Sequence, residues 1–388
     1  MFCKSLKCVL CGSEFKLLPI YDCKNCGGSL DATYDYKMAF AASLFTNSDP
    51  SMGIWKYKNL LPVNSNQAPV TLGEGGTPLI PADRLAKKFN HSGLYIKNET
   101  INPTLSFKDR PLSVGMTVAA QFNFNGVVTA STGNTGVATA AYAARAGLDC
   151  SIFVPIGTPK EKLNLMLAFG AKLFEVEGTF SDAYNKASGE AELNGLFNLT
   201  STFLNPYAAE GDKTLAYEIF SQFGGVPDWI VVPIGAGPLL VGCYKGFKEL
   251  LLAGLVSKLP RMVGVQARNC SPIVRAFESN VASVYPWDKP DTIAGGIADP
   301  LTTYPNDGTR TLKAIRDSNG TAIGVDDSSI IESVTLLSTL EGILAEAAAA
   351  TSISAASWMI CNGRVAKEES IICVVTGHGL KDLSKLIK

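Results

Sequence analysis

From residue 93 onward, short apolar runs alternate with longer stretches of helical periodicity. Residues 93–99 have strand character, and an alanine-rich helical segment follows from about Arg110 to Phe122. Residues 127–130, 150–155 and 172–176 read as buried strands, separated by helices at 137–146, 160–169 and 181–194. A fourth short strand is expected at 197–203. Strand, helix and strand at these spacings predict a parallel sheet with crossover helices.

A second α/β region begins near Lys213. A helix at 214–222 precedes the strongest strand of the chain, Trp229-Ile230-Val231-Val232-Pro233, and a helix follows to Leu252. Further strands are expected at 261–266, 320–325 and 371–375, with helices at 311–317, 327–338 and 344–358. Residues 292–310 are rich in glycine and proline and read as a long loop at an active site. Residues 36–70 read as a connection of short helices and turns, including Asn47-Ser48-Asp49-Pro50. Repeats and low-complexity tracts are absent from the sequence.

Composition narrows the function. The 388 residues suffice for two domains and a small appendage, and 46% hydrophobic residues supply their cores. A net charge of −1 argues against electrostatic capture of nucleic acid or anionic lipid. The richest apolar stretch, 344–356, is alanine-dominated and too short to span a membrane. Met-Phe-Cys-Lys-Ser has no hydrophobic signal region, so the ten cysteines are expected in a reducing cytoplasm. Cys150, Cys243, Cys270, Cys361 and Cys373 lie in apolar contexts and read as core.

Residues 1–35 stand apart. Cys8-Val9-Leu10-Cys11 and Cys23-Lys24-Asn25-Cys26 are two C-x2-C pairs separated by eleven residues. Two such knuckles make the four-sulfur site that zinc prefers, with Gly12, Gly27 and Gly28 freeing the turns. The expectation is a structural zinc on Cys8, Cys11, Cys23 and Cys26; the alternative is a ribbon that no longer carries metal.

Candidate chemistry gathers at strand ends and helix starts. Lys108 in Pro103-Thr104-Leu105-Ser106-Phe107-Lys108-Asp109-Arg110 immediately precedes a helix, where amide donors and the macrodipole disfavour an ammonium. That lowers a lysine pKa toward the range an amine nucleophile needs; the plain alternative is a solvated lysine. Pro111 is comfortable there if Asp109 caps the helix, and Asp109 and Arg110 read as local capping and ion-pairing residues. Gly73-Glu74-Gly75-Gly76-Thr77-Pro78 reads as a turn, with amides and a Thr77 hydroxyl that can face an anion. Ser131-Thr132-Gly133-Asn134-Thr135-Gly136 turns from a strand into a helix, and Gly235-Ala236-Gly237 does the same. The latter suits a phosphate, including that of a nucleotide, although neither a P-loop nor a full dinucleotide fingerprint is present. A phosphate loop with an activated lysine is what pyridoxal phosphate requires. His378 in Thr376-Gly377-His378-Gly379 reads as a packed turn residue.

With those residues in view, Pro103–Arg110 and Ser131-Thr132-Gly133-Asn134-Thr135 resemble the fold-type II pyridoxal phosphate enzymes, and within them the threonine synthase family most closely. The likeness extends over Gly73–Pro78, Asn205-Pro206-Tyr207, Glu210-Gly211-Asp212-Lys213-Thr214, Thr292-Ile293-Ala294 and Thr376–Asp382, nearly the whole chain. It implies a two-domain α/β fold like the tryptophan synthase β chain, with three-layer αβα domains and the cofactor in a cleft. The expected division is 1–35 zinc-ribbon-like, 36–110 part of the large domain, 111–205 the small domain and 206–388 the large cofactor-binding domain.

By the same resemblance, Lys108 is the Schiff-base lysine and general base. Asn134 meets the phenolic oxygen, Gly235, Ala236 and Gly237 bind the phosphate, and Thr376 meets the pyridine nitrogen. Ser131, Thr132 and Thr135 receive the substrate carboxylate, with Thr77 on the substrate-facing loop. A homodimer is implied, acting on a small amino acid and on neither nucleic acid nor membrane. The reaction implied is O-phospho-L-homoserine and water to L-threonine and phosphate. The alternatives are β-replacement or elimination on another amino acid, such as O-phosphoserine with sulfite, or serine/threonine deamination. A zinc-ribbon binding module on a non-catalytic α/β domain is a third reading.

Two departures bear on substrate. Where the family often carries Gly-Asn-Ala-Gly-Asn, this chain has Gly235-Ala236-Gly237-Pro238-Leu239, and Pro238 has no amide to donate. After Thr-Ile-Ala it has Gly295-Gly296-Ile297-Ala298-Asp299 in place of a basic residue. If Asp299 faces the site, it disfavours a phosphorylated substrate.

Overall fold

In the computed structural model, which describes residues 2–41, 50–158 and 160–382, the alternation of apolar runs becomes three sheets. The Asn47-Ser48-Asp49 part of the expected connection lies outside the described residues. The chain opens with strands β1 (Cys3–Cys8), β2 (Glu14–Phe15) and β3 (Leu30–Tyr34), then helix α1 (Tyr36–Ala41). Strand β4 (Leu79–Pro81), helix α2 (Asp83–Phe89) and strand β5 (Leu94–Asn98) follow. Next come α3 (Asp109–Gln121), β6 (Gly126–Ala130), α4 (Asn134–Ala146), β7 (Asp149–Pro155), α5 (Lys160–Ala168), β8 (Lys172–Val176), α6 (Phe180–Asn194) and β9 (Phe197–Asn198). The remainder is α7 (Thr214–Phe223), β10 (Trp229–Pro233), α8 (Pro238–Leu252), β11 (Arg261–Ala267), α9 (Pro272–Glu278), α10 (Pro305–Asp317), β12 (Thr321–Val325), α11 (Asp327–Glu341), α12 (Ala347–Cys361) and β13 (Ile371–Val375).

These elements form two compact units. The first comprises residues 1–76, 102–104 and 108–214; the second comprises 77–101, 105–107 and 215–388. In the first, β2-β1-β3 is a small antiparallel ribbon and β8-β7-β6-β9 a parallel sheet. Val127, Val137, Ala140, Ile152 and Val154 are fully or almost fully buried in its core. In the second, the order is β12-β11-β10-β13-β5-β4, parallel except for the edge strand β4. That edge position suits Pro81, which has no N–H for a ladder. Helix α12 lies almost wholly buried, and its run of alanines lets its backbone approach the sheet closely.

Some boundaries, and the burial of one cysteine, differ from the sequence expectation. The strand expected over 197–203 is only Phe197–Asn198, because Asn198 turns the chain: its Oδ1 accepts the Thr200 N–H at 2.9 Å. Helix α10 starts at Pro305, six residues before the expected Thr311, with proline in the first turn where its missing N–H costs nothing. Cys361, expected in the core, is exposed at the end of α12, whereas Cys150, Cys243, Cys270 and Cys373 are buried. Burial pushes the Cys150 thiol up to about 12, so it behaves as an inert apolar group.

Glu74 anchors the 73–76 turn in the first unit. Its fully buried carboxyl accepts from Trp55 Nε1 at 2.7 Å, Tyr142 OH at 2.7 Å, Leu72 N–H at 3.0 Å, Thr71 Oγ1 at 3.1 Å and the Ser113 hydroxyl. Burial, with the nearby Asp109 and Glu74 charges, pushes the Tyr142 phenol far up, so it remains a donor. The turn also needs Gly53, whose φ is 51° and whose missing Cβ would lie 1.9 Å from the Glu74 carbonyl oxygen. Glu74→Ala strands several buried donors at about 1–3 kcal/mol each. We expect a loss of about 3–5 kcal/mol, read from the denaturant midpoint, with Glu74→Gln losing clearly less because one carbonyl acceptor remains.

Candidate active site

In open α/β sheets, ligands gather outside the carboxyl ends of the strands. In the first unit, β6 and β9 run parallel with Val127 opposite Phe197, so residues 131–134 and 199–202 leave the same edge. Thr200 Oγ1 accepts the Ala130 N–H at 3.0 Å, placing Ser131 and Ser201 at neighbouring exits. Lys108 reaches this edge: its Nζ donates to Ser201 Oγ at 2.6 Å. The lysine is half-buried, and it is itself the N-cap of α3. Asp109, expected as the cap, is instead the first helical residue; its buried carboxyl accepts the Thr104 N–H at 3.0 Å and hydroxyl at 2.8 Å. Arg110 is fully buried and donates to Thr214 Oγ1 at 3.0 Å.

The 131–136 loop is built from within. Ser131 Oγ accepts the Gly133 N–H at 3.2 Å and the Gly136 N–H at 2.9 Å, so this hydroxyl holds the turn. Asn134 opens α4 and is half-buried; Thr132 is half-buried and Thr135 buried. A Cβ on Gly133 would meet nothing within 4 Å, so there is open space beside the loop.

The other predicted residues lie in the second unit. Strand β10 pairs in parallel with β13, and β13 with β5, so residues 234–237, 376–379 and 99–101 leave one edge. The amides of Gly235, Ala236 and Gly237 donate to no acceptor among the described residues. Leu239 and Leu240 follow in the first turn of α8, where amides have no intrahelical partner. Gly237 has φ of 96°, and a Cβ there would lie 2.4 Å from Thr311 Cγ2. Thr311 Oγ1 donates to the Ala236 carbonyl at 2.5 Å, and Gln266 Nε2 to that of Gly235 at 3.3 Å. Pro238 is the first helical residue, so the amide it lacks is one the helix does not use. Asp299 lies beside Gly235, 3.1 Å between the Asp299 Cβ and the position of a Cβ on the glycine. Its Oδ1 accepts the Leu301 N–H at 3.0 Å and approaches Tyr304 OH at 3.3 Å.

Thr376 is buried where β13 ends, and its carbonyl accepts the Phe107 N–H at 2.9 Å. Phe107 immediately precedes Lys108. Ser106 bridges Gly377, and the His378 N–H donates to the Leu105 carbonyl at 3.0 Å, holding Leu105 at an uncommon φ of 61°. His378 packs in this turn as expected, its Nδ1 accepting the Leu380 N–H at 3.1 Å. Burial, aided by the Lys381 charge, lowers its pKa and keeps it a neutral acceptor. Thr77, expected to face substrate, is fully buried and donates its hydroxyl to Glu99 Oε1 at 2.5 Å. Its carbonyl accepts Lys97 Nζ at 2.6 Å. Thr77 therefore fastens the turn.

The residues suit a phosphorylated, ring-bearing cofactor. The glycine cradle offers unspent amides at a helix start, as a phosphate requires. Ser106 Oγ, fully buried and paired beside Gly377, has no hydrogen-bond partner among the described residues. Ser201 and Ser106 escaped the sequence reading, although the polar run Thr200-Ser201-Thr202 after an apolar strand was a signal for the first. The pocket of ≈ 410 Å³ lined by Phe122, Asn125, Gly126, Asp149 and Asn194 opens at the amino ends of β6 and β7, the opposite edge from Lys108.

Residues 70–377 match the family of pyridoxal-phosphate dependent enzymes, and the chain belongs to it. Among curated proteins, the chain is 40% identical over 386 residues to a threonine synthase of Methanosarcina acetivorans, covering 98% of this chain and 93% of that protein. It is 38% identical over 386 residues to a threonine synthase of Methanocaldococcus jannaschii, covering 98% and 94%. A threonine synthase of Mycobacterium bovis is 37% identical over 333 residues, covering 86% and 89%. Its function is that of a threonine synthase-like, pyridoxal phosphate-dependent lyase.

Solved structures share the fold. Threonine deaminase isoform 2 of Solanum lycopersicum superposes with a TM-score of 0.69 at 23% identity, covering 80% of this chain and 85% of that one. Maize serine racemase gives 0.67 at 21%, covering 78% and 87%. The architecture is the fold-type II α/β arrangement that the sequence resemblance implied. Among the described residues, no helix is long and apolar enough to cross a membrane.

Proposed function

We propose that this chain converts O-phospho-L-homoserine and water to L-threonine and phosphate, with Lys108 as the residue that carries the cofactor and moves the protons. The observation that supports this most is Lys108 Nζ held at 2.6 Å from Ser201 Oγ, at the edge from which the 131–134 loop also leaves. Bound to that amine, pyridoxal phosphate supplies an electron-withdrawing ring that acidifies the bonds at the substrate α carbon. By the family resemblance, the Gly235, Ala236 and Gly237 amides, with those of Leu239 and Leu240, would hold its phosphate, and Asn134 would be the residue for its phenolic oxygen. Thr376 would offer the ring nitrogen a neutral hydroxyl in place of a carboxylate, which would not favour a proton on that nitrogen.

The substrate carboxylate is received at the start of α4 by Thr132 and Thr135, whose turn Ser131 shapes. Lys108 Nζ takes the α proton and then a β proton. The C–O bond at the γ carbon would break with its electron pair leaving on phosphate. The two protons held by Lys108 would return to the γ and α carbons, and water would give OH to the β carbon and its remaining proton to the phosphate. Ser201 orients the amine. Ser201→Ala should lower kcat about tenfold while cofactor stays bound, the equivalent of ~1.5 kcal/mol for one hydrogen bond to a charged group. Steady-state kinetics with the cofactor absorbance recorded alongside checks this.

The resemblance supports a homodimer with no nucleic-acid or membrane partner, and ten cysteines with no disulfide among the described residues support the reducing cytoplasm as its setting. The competing reading is β-replacement or elimination on another amino acid. To separate the two, phosphate release from O-phospho-L-homoserine and O-phospho-L-serine is followed with and without sulfite, and the amino-acid product identified. Threonine from the homoserine ester is expected. Sulfite-dependent turnover of the serine ester, with none of the homoserine ester, would select the second reading.

A further inference from the structure

The four cysteines of the ribbon converge. All four Sγ atoms lie within 4.8 Å of one another, with Cys8 to Cys26 at 3.5 Å and Cys11 to Cys23 at 3.6 Å. A tetrahedral zinc with Zn–S bonds of about 2.3 Å sets sulfurs about 3.8 Å apart, so these spacings are near those of a four-thiolate site. Each pair sits on a tight knuckle: the Gly12 N–H donates to the Cys8 carbonyl at 3.1 Å, and the Gly27 N–H to that of Cys23 at 2.8 Å. With four protein ligands the coordination is closed and structural.

What this cluster holds in place lies between the knuckles. The loop from Gly12 to Asp22 contains only the two-residue strand β2, yet it makes specific contacts with the 197–214 segment of the same unit. Tyr21 OH accepts the Asn198 N–H at 2.8 Å, and the Tyr21 ring packs against Phe197 at 5.9 Å between centroids. Tyr207 OH donates to the Leu18 carbonyl at 2.6 Å. From β3, Tyr34 OH donates to Glu210 Oε2 at 2.9 Å, and Lys213 lies 3.9 Å over the Tyr34 ring. Asn198 and Asn205 then close the turn that carries Ser201: Asn205 Nδ2 donates to the Asn198 carbonyl at 2.8 Å. Ser201 is the partner of Lys108 Nζ.

We propose that Cys8, Cys11, Cys23 and Cys26 bind one zinc ion, and that this zinc fixes the Leu18–Tyr21 loop as a brace for the Asn198–Asn205 turn that positions Ser201. The ion acts by closing a loop that otherwise has little structure of its own, so its removal loosens the turn without dismantling the sheets. The consequence for Lys108 rests on the reading of the preceding section; the metal site and the brace do not.

The test uses full-length holoenzyme grown with zinc. Elemental analysis should give one zinc per chain, and cobalt replacement should give the charge-transfer and visible absorption of tetrahedral four-sulfur cobalt. The Cys11→Ser, Cys26→Ser double variant changes only the two exposed ligands and should lose the metal. In it, amide exchange over 198–207 should rise roughly tenfold, with β10 and β13 unchanged. Tyr21→Phe should keep its zinc and still show faster exchange over 198–207, with kcat falling and KM held. Wild-type protein that contains no zinc and gives no cobalt spectrum overturns the site. Zinc loss with unchanged exchange over 198–207 overturns the brace.

Discussion

Lys108→Ala, reconstituted with pyridoxal phosphate, should form threonine about 10³-fold more slowly than the wild type. It should also fail to show the visible absorbance of lysine-linked cofactor. Two buried lysines are held too firmly to take the place of Lys108. Lys97 is fully buried on β5, with its Nζ 2.8 Å from Glu218 Oε2, 2.9 Å from Gln222 Oε1 and 2.6 Å from the Thr77 carbonyl. Lys213 is equally buried, 2.7 Å from Glu210 Oε2 and stacked on Tyr34. Moving either amine would strand a buried carboxylate, at a cost of about 3–5 kcal/mol. A small primary amine added to Lys108→Ala should restore part of the rate, because the missing group is a proton carrier in an otherwise intact site. A variant within tenfold of wild type would remove Lys108 from the mechanism.

Gly237→Val should weaken pyridoxal phosphate binding about 10²-fold. A β-branched residue at φ of 96° is strained, and its Cβ would collide with Thr311, whose hydroxyl pins the Ala236 carbonyl. Relief requires the 235–237 loop to move, which turns its amides away from the phosphate. Strain and lost hydrogen bonds together come to about 3 kcal/mol, or two powers of ten. Gly254→Ala is the control, since it has φ of 71° but nothing within 4 Å of a Cβ. It should cost stability and leave cofactor affinity unchanged, both read by titrating the apoenzyme with cofactor. Equal affinity in Gly237→Val and wild type would move the phosphate elsewhere.

The sheet of the second unit was legible because its central strands are continuous apolar runs. Trp229–Pro233 and Ile371–Val375 are buried on both faces, which is what a run without alternation signals. The alanine helix α12 was visible for the same reason, though its ends shifted by three residues, from 344–358 to Ala347–Cys361. Polar partnerships were less legible. Thr77 looks like a substrate hydroxyl in sequence, yet it donates its hydrogen bond to Glu99, twenty-two residues away. Ser201 meets Lys108 across 93 residues, and no local periodicity encodes a hydrogen bond at that separation. Phe197–Phe203 looked like a strand because hydrophobicity registers burial, and Phe203 is buried in a turn. Asp109 was misplaced by one residue, since an aspartate before a helix can cap it or, as here, reach back to Thr104 from its first turn.

The most direct test of Lys108 as the cofactor-bearing residue is reduction of the holoenzyme with borohydride, followed by proteolysis and mass mapping. The pyridoxyl group is expected on the peptide containing Ser106-Phe107-Lys108, in one copy per chain and absent from Lys108→Ala. Label on Lys97, Lys213 or any other lysine, with the Lys108 peptide unmodified, would contradict it.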